Sequence, residues 1–262
     1  MELISLLGLG IVAGVLAGLL GVGGGVVIVP VLIWIFAAHP EIPSSHLMHF
    51  AIATSLATIM VTSSASIIAH HRHAAVRWPI VVRLAPGIVL GALIGAVIAD
   101  ALTSALLKLI FAVFLLVISI HMAMGKPPAA HRQLPAQLGL TPVGMIIGMI
   151  SALVGIGGGS LTVPFLAWCN VSMRHAVATS AACGLPIAVA GTLGYVVTGG
   201  QITHSVAWSS GYVYWPAFLA ISATSLLLAP LGAQLAHMLP VTLLKKFFAG
   251  FLAVVGIKLL LD

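Results

Sequence analysis

Long hydrophobic runs occupy most of the chain, separated by short polar or glycine-rich breaks. The runs are residues 3–20, 26–37, 46–69, 79–99, 104–124, 140–154, 160–170, 174–198, 209–236 and 241–261. A helix that crosses a membrane needs about 20 residues. Runs 26–37 and 160–170 are too short for a crossing, and a glycine cluster joins each to the run before it. The pattern therefore predicts two half-helices that begin at glycine breaks, among longer membrane-spanning helices.

The pattern also repeats. Residues 10–34 return as residues 144–168 with 11 of 25 positions identical, and Gly95–Ile120 returns as Gly232–Ile257 with 13 of 26 identical. A polar, proline-containing linker lies between the copies. We predict a first transmembrane repeat over 1–124, a cytoplasmic linker over 125–139 and a second transmembrane repeat over 140–262. Each repeat is expected to be a glycine-broken helical hairpin plus three transmembrane helices.

Composition agrees with this reading, because 61% of the residues are hydrophobic and only 5% are charged. Such a chain is an all-α polytopic membrane protein, with the lipid bilayer as its surroundings, and not a soluble domain. The net charge is +6, but the basic residues form no run interleaved with aromatic residues. Nucleic acid is therefore not an expected partner.

The basic residues predict the orientation of the chain in the membrane. They fall in four regions, which the positive-inside rule places in the cytoplasm: Arg72 to Arg83, Lys126 and Arg132, Arg174, and Lys245 and Lys246. Loops 38–45 and 199–208 carry no Lys or Arg and are expected outside, together with both termini. The two repeats are then inverted relative to each other. Lys108 and Lys258 fit this orientation less well.

Three motifs recur in the same order in both halves. Gly21–Gly25 and Gly155–Gly159 read G-x-G-G-G, a proline follows five residues later, and an A-x-A-T-S segment comes next, at Ala51–Ser55 and Ala176–Ser180. This arrangement resembles the sulfite exporter TauE/SafE family, also called the toluene-sulfonate uptake permease family. The resemblance implies a bacterial inner-membrane permease for small sulfur-containing anions such as sulfite or organosulfonates.

The glycine breaks carry chemistry of their own. An unwound segment leaves N–H groups without helical partners, and the helix that restarts after it adds the positive end of its dipole, so the break attracts anions. We expect free N–H groups at Gly24, Gly25, Gly158 and Gly159, with nearby hydroxyls as neutral donors. The expected substrate-binding residues are Gly23, Gly24, Gly25, Val26, Thr54, Ser55, Gly157, Gly158, Gly159, Ser160, Thr162, Thr179 and Ser180.

Simpler interpretations remain open for the same residues. Adjacent glycines also serve close helix packing, and the Thr-Ser pairs also bond to their own helix backbone. Packing is the expected role of the spaced pairs Gly14/Gly18, Gly91/Gly95 and Gly144/Gly148. For these positions we expect mild effects from Gly14→Ala and Gly148→Ala.

Other chemistries find little support in the sequence. The eleven histidines include His46 and His49, three apart, and His70, His71 and His73, but no Cys, Asp or Glu completes a metal set in either cluster. Surface histidines are the simpler interpretation, with a metal or pH-sensing role as the alternative. We expect no cofactor, no metal and no enzyme activity.

Acidic residues are scarce within the apolar runs, which favours export of an anion driven by the membrane potential, by alternating access of the two halves. The alternatives are a transporter of another solute such as a metal ion, and a membrane-embedded enzyme or assembly factor.

Overall fold

The computed structural model describes residues 2–20, 24–124, 134–135, 137–202, 205–238 and 241–261. These residues form ten α-helices and one two-stranded hairpin. The helices are α1 (Glu2–Leu20), α2 (Gly25–Ala37), α3 (Leu47–Arg72), α4 (Trp78–Ala101), α5 (Ser104–Met124), α6 (Gln137–Val154), α7 (Gly159–Trp168), α8 (Met173–Thr198), α9 (Trp215–Met238) and α10 (Val241–Leu261). Strands β1 (Ser209–Ser210) and β2 (Val213–Tyr214) pair antiparallel, with Ser209 opposite Tyr214. The predicted all-α class is confirmed.

Both predicted glycine breaks interrupt the helices. Helix α1 ends at Leu20 and α2 begins at Gly25, while α6 ends at Val154 and α7 begins at Gly159. The residue before each new helix has a positive φ, +70° at Gly24 and +53° at Gly158. Glycine reaches this left-handed region without the penalty that a Cβ imposes. The glycines therefore set the direction in which each half-helix restarts.

The central helices α3 and α8 pack against each other and run in opposite directions. Nδ1 of His175, near the start of α8, lies 2.8 Å from the carbonyl oxygen of Ala75, just beyond the end of α3. We call this end of the bundle the arginine end, since Arg72, Arg77 and Arg174 lie there. The opposite end carries the loop before α3, the α4–α5 turn and the β hairpin, and we call it the hairpin end. The start of α3, from Met48 through Ile59, is buried and lies in the core.

Helices α6 and α7 form a hairpin that enters the bundle from the arginine end and returns to it. Helix α6 lies parallel to α4, because a Cβ on Gly87 would meet Thr141 and a Cβ on Gly95 would meet Met149. Helix α7 then leads back to the start of α8.

Helices α1 and α2 do the same from the hairpin end. Helix α1 lies parallel to α9, with Gly10 beside Ile221 and Gly14 beside Ser225, and Ser225 Oγ donates to the carbonyl of Gly10 at 3.0 Å. Each broken segment thus leaves and returns on one side.

Corresponding helices make reciprocal contacts. The repeat makes α1 the counterpart of α6, α3 of α8, α4 of α9 and α5 of α10. Helix α1 packs on α9, and in the same way α6 packs on α4. The other two pairs join counterparts directly, with α3 on α8 and α5 on α10. By length and composition, four described helical segments are able to cross a membrane: Ser44–Arg72, Trp78–Ala101, Ser104–Met124 and Met173–Gln201. The reciprocal pairing fits two related halves. The inversion of these halves across a membrane stays a prediction.

Glycines at the helix crossings bring backbones into direct contact, as predicted for the spaced pairs. A Cβ added to Gly14 would lie 2.7 Å from Ser225 Cα, and one added to Gly144 would lie 2.5 Å from the carbonyl oxygen of Leu84. On Gly148 a Cβ would overlap the Ile88 carbonyl oxygen. The expectation that Gly14→Ala and Gly148→Ala are mild is therefore wrong, because the neighbouring atoms are backbone and have little freedom to move.

We predict that Gly148→Ala destabilises the α4–α6 contact by about 1–3 kcal/mol, the usual cost of overpacking. The matched control is Gly250→Ala in α10, where an added Cβ meets nothing within 4 Å. Thermal unfolding of the purified proteins in detergent measures the difference. If the Gly148→Ala protein unfolds at the same temperature as the Gly250→Ala protein, the close packing is contradicted.

Candidate functional site

The two glycine breaks meet where α3 crosses α8. A Cβ on Gly25 would lie 2.5 Å from the carbonyl oxygen of Gly155 and 3.0 Å from Ile59 Cδ1. Gly157, in the same loop as Gly155, also lies against Ile59. The expected binding segments of both halves are thus neighbours inside one core. Gly23 lies outside the described residues.

Ser55 joins the two halves at this point. Its Oγ donates a hydrogen bond of 2.9 Å to the carbonyl oxygen of Gly155, and both groups are buried. The bond does not run to the serine's own helix, which was the simpler interpretation of the Thr-Ser pairs. A break inside the bilayer leaves carbonyls without helical partners, and each unpaired one is costly. Ser55 supplies one missing partner from the opposite half.

The threonines beside the serines also bind the opposite half. Thr54 Oγ1 accepts a 3.1 Å hydrogen bond from the backbone N–H of Tyr214, and Thr179 Oγ1 accepts a 3.0 Å bond from the backbone N–H of Arg77. Tyr214 immediately precedes α9 and Arg77 immediately precedes α4, so the donors occupy equivalent positions in the two halves. We call these two bonds the threonine latches. One lies at the hairpin end and the other at the arginine end.

The second break is the more polar one. Ser160 Oγ and Thr162 Oγ1, in the first turn of α7, are buried and have no hydrogen-bond partner among the described residues, and the same holds for Ser180 Oγ on the neighbouring helix α8. The hydroxyls of Ser151, Thr192, Thr198 and Ser222 are buried in the same way elsewhere. The first half has Val26 and Ile28 at the positions equivalent to Ser160 and Thr162. All three hydroxyls were among the binding residues expected from the sequence. The difference between the halves was missed, although aligning the two glycine motifs shows it directly.

Isoleucines cover the second break in this conformation. A Cβ on Gly157 would lie 2.8 Å from Ile59 Cγ2, and one on Gly158 would lie 2.6 Å from Ile187 Cδ1. The loop also pairs its own N–H groups, because Gly158 N–H donates to the Ile156 carbonyl (3.0 Å) and Gly159 N–H donates to the Gly157 carbonyl. The expectation of free N–H groups at Gly158 and Gly159 is therefore wrong.

An open cavity of about 570 Å³ lies at the hairpin end. Its polar lining includes Asp100 together with His46 and His49, the pair for which the sequence left a metal or pH-sensing role as the alternative. Tyr212, from the β hairpin, donates a 2.7 Å hydrogen bond to Asp100. Burial, followed by this hydrogen bond, raises the pKa of Tyr212, so the phenol keeps its proton at neutral pH.

The part of the chain that the structure describes contains no cluster of side chains suited to bind a metal ion. No group of three or more His, Cys, Asp or Glu side chains comes together there in a way that suits a metal ion. Cys169 and Cys183 are both buried.

Comparison with known proteins identifies a family. The family model described as sulfite exporter TauE/SafE matches residues 6–259. A probable membrane transporter protein of Haemophilus influenzae is 38% identical over 257 residues, which cover 96% of each chain. One from Methanocaldococcus jannaschii is 28% identical over 262 residues, covering 96% of this chain and 93% of the relative. No solved structure matches the chain.

We predict that Gly158→Ala lowers stability for two separable reasons. The positive φ of +53° strains any residue with a Cβ, and the new methyl group meets Ile187 Cδ1. Ile187→Val removes that Cδ1 atom. The double variant Gly158→Ala/Ile187→Val should therefore unfold at a higher temperature than Gly158→Ala, although Ile187→Val alone costs about 0.5–1.5 kcal/mol. If the stability lost in the double variant equals the sum of the losses in the two single variants, the contact between residue 158 and Ile187 is contradicted.

Proposed function

Because the chain belongs to the sulfite exporter TauE/SafE family, we propose that this membrane transporter exports a small sulfur-containing anion, sulfite or an organosulfonate. The anion binds at the second glycine break, between α7 and α8. The observation that supports this most is the set of three buried hydroxyls without partners at Ser160, Thr162 and Ser180. Buried polar groups are normally hydrogen-bonded, so an orphaned set suggests that a ligand supplies the missing partner.

The donor chemistry suits a transported oxyanion. Hydroxyl groups donate to sulfonyl oxygens, and the first N–H groups of α7 add the positive end of a helix dipole. Neither carries a full charge, so the anion is held without a fixed ion pair and leaves readily. Hydroxyl oxygens also coordinate cations, but the positive end of the α7 dipole repels a cation, which disfavours the metal-ion alternative. We assign no catalytic step to the chain.

The threonine latches suggest how access alternates. Each latch ties the segment that precedes α4 or α9 to the central helix of the opposite half, at opposite ends of the bundle. Opening the latch at the arginine end would expose the second break to the cytoplasm, and opening the one at the hairpin end would expose it to the outside. The isoleucine cover over Gly157 and Gly158 belongs to the state in which both latches are closed.

The direction and the energetics follow from the charge distribution. We place the protein in the bacterial inner membrane with the arginine end in the cytoplasm and both termini in the periplasm. With the inside negative, an outward-moving anion gains roughly 2.3 kcal/mol per charge per 100 mV. Export in this direction needs no coupling ion.

We predict that Ser160→Ala, Thr162→Val and Ser180→Ala each raise the apparent KM for sulfonate flux about fivefold, because each loses about 1 kcal/mol of hydrogen bonding to the anion. Efflux of labelled sulfonate from proteoliposomes with an imposed potential measures this. The matched control is Ser64→Ala, whose hydroxyl donates to the Met60 carbonyl of its own helix (2.7 Å). Unchanged KM in all three variants would overturn the site.

We also predict that a reporter active only in the cytoplasm gives signal when inserted near residue 130 and none when fused after residue 262. Residue 130 lies in the linker that follows the arginine end of α5. Helix α10 ends at the hairpin end, since it lies antiparallel to α5, with Ser119 bonded to Ala249 and Gly256 beside Leu116. The reverse pattern of signals would refute the proposed orientation.

A further inference from the structure

The cavity at the hairpin end is built around a buried histidine with an unused nitrogen. His49 is only 1% exposed and lies on α3, five residues before Thr54. Its Nε2 lies 2.9 Å from the carbonyl oxygen of Ala99. Its Nδ1 is buried and makes no hydrogen bond of good geometry to a described residue, with the backbone of Leu102 as the other polar group near the ring. Because a carbonyl only accepts, Nε2 must carry the proton of that bond. Nδ1 is then a bare lone pair in the neutral ring and an N–H donor in the protonated ring.

The remainder of the lining suits an anion once that proton is present. Helices α3 and α5 both begin beside the cavity, at Leu47 and Ser104, and helix starts favour negative charge. The lining also holds four small hydroxyl residues, Ser44, Ser45, Thr103 and Ser104. Ser104 and Thr103 accept hydrogen bonds from the backbone N–H groups of Met48 and Leu106 at the two helix starts, so their hydroxyl protons remain available to a ligand. The unpartnered and buried Nδ1 of His49 is the separate feature that calls for a ligand.

The charge of the cavity depends on pH. The titratable groups that face His49 are His46, with ring centroids 5.5 Å apart, Tyr212, at 4.9 Å, and Asp100. With His49 neutral, the carboxylate of Asp100 gives the cavity a negative charge, which repels anions. Protonation of His49 offsets that charge, and histidine side chains ordinarily change charge between about pH 5 and 8.

We propose that this cavity is a second, proton-dependent anion site, at which protonated His49 donates Nδ1–H to an oxygen of a small sulfonate or related oxyanion. The proposal rests on the proposed anion substrate and adds an external subsite that fills when the outside is acidic. Anion affinity here rises as pH falls through the histidine range. Binding of anion and proton together links transport to external pH, although the chain has few acids inside the apolar runs.

The test uses methanesulfonate, whose charge does not change between pH 5.5 and 8.0. Calorimetric titration of the purified full chain in detergent should give at least about thirtyfold tighter binding at pH 5.5 than at pH 8.0, as expected when only the form with one protonated histidine binds the anion. His49→Gln keeps a donor for the Ala99 carbonyl but has no titratable group, so the pH dependence should disappear. His121→Gln, an exposed histidine at the other end of α5, is the matched control and should keep it.

A variant that binds methanesulfonate more tightly cannot owe its result to misfolding, and Asp100→Asn is expected to be such a variant. Asparagine still accepts the Tyr212 hydroxyl through Oδ1, while the repelling charge is gone. Because the carboxylate also attracts the protonated ring of His49, the gain is expected at pH 5.5 and not at pH 8.0, and methanesulfonate binding at pH 5.5 should tighten about threefold. Unchanged affinity in Asp100→Asn, or wild-type pH dependence in His49→Gln, overturns the proposal. Sulfonate flux that persists without any pH-dependent binding overturns this site alone, whereas absence of both flux and binding also overturns the proposed function.

Discussion

Inside a lipid bilayer, a helix that stops must find partners for its free backbone groups within the protein, and the architecture of this chain follows from that requirement. The break after α6 leaves the buried Gly155 carbonyl without a helical partner, and Ser55 from the other half donates to it. Gly25 must remain a glycine to let the first break approach that same carbonyl. The two halves are therefore held together through their interruptions as well as through the apolar faces of their helices.

The two threonine latches join the halves in the same way, through groups that lie next to the central serines. The threonine next to each central serine holds the segment that precedes a helix of the opposite half, once at each end. Around them, glycines bring α4 against α6 and α1 against α9 at backbone distance, and such contacts are rigid. In the proposed alternating access, the rigid peripheral pairs would move as bodies while the single hydrogen bonds at the two ends open in turn.

Much of this was predictable from the sequence, because the repeated signal is strong. Three adjacent glycines inside an apolar run indicate a broken helix, and the structure breaks at Gly24 and Gly158. The sequence could not reveal where the hydroxyls point. Thr54 and Thr179 accept bonds from Tyr214 and Arg77, residues far away in the chain. Long-range partners of this kind depend on helix register and not on local pattern.

Two other features needed the folded chain. The N–H groups of Gly158 and Gly159 turn back onto their own loop, a local geometry that glycine allows but no motif specifies. The role of Gly148 depends on its distance to the Ile88 carbonyl, which composition does not encode. The asymmetry of the two breaks, by contrast, was already present in the sequence as Val26 and Ile28 against Ser160 and Thr162.

The central claim is that an oxyanion binds at the second glycine break, and selenium offers a direct view of it. Selenite has the shape and charge of sulfite, and its anomalous scattering locates the bound anion in crystals of the soaked protein. The account predicts an anomalous peak within about 4 Å of the hydroxyls of Thr162 and Ser180, a distance that allows hydrogen bonds from those groups to the oxygens around selenium. A peak only at other positions, with the second break still covered by Ile59 and Ile187, would contradict it.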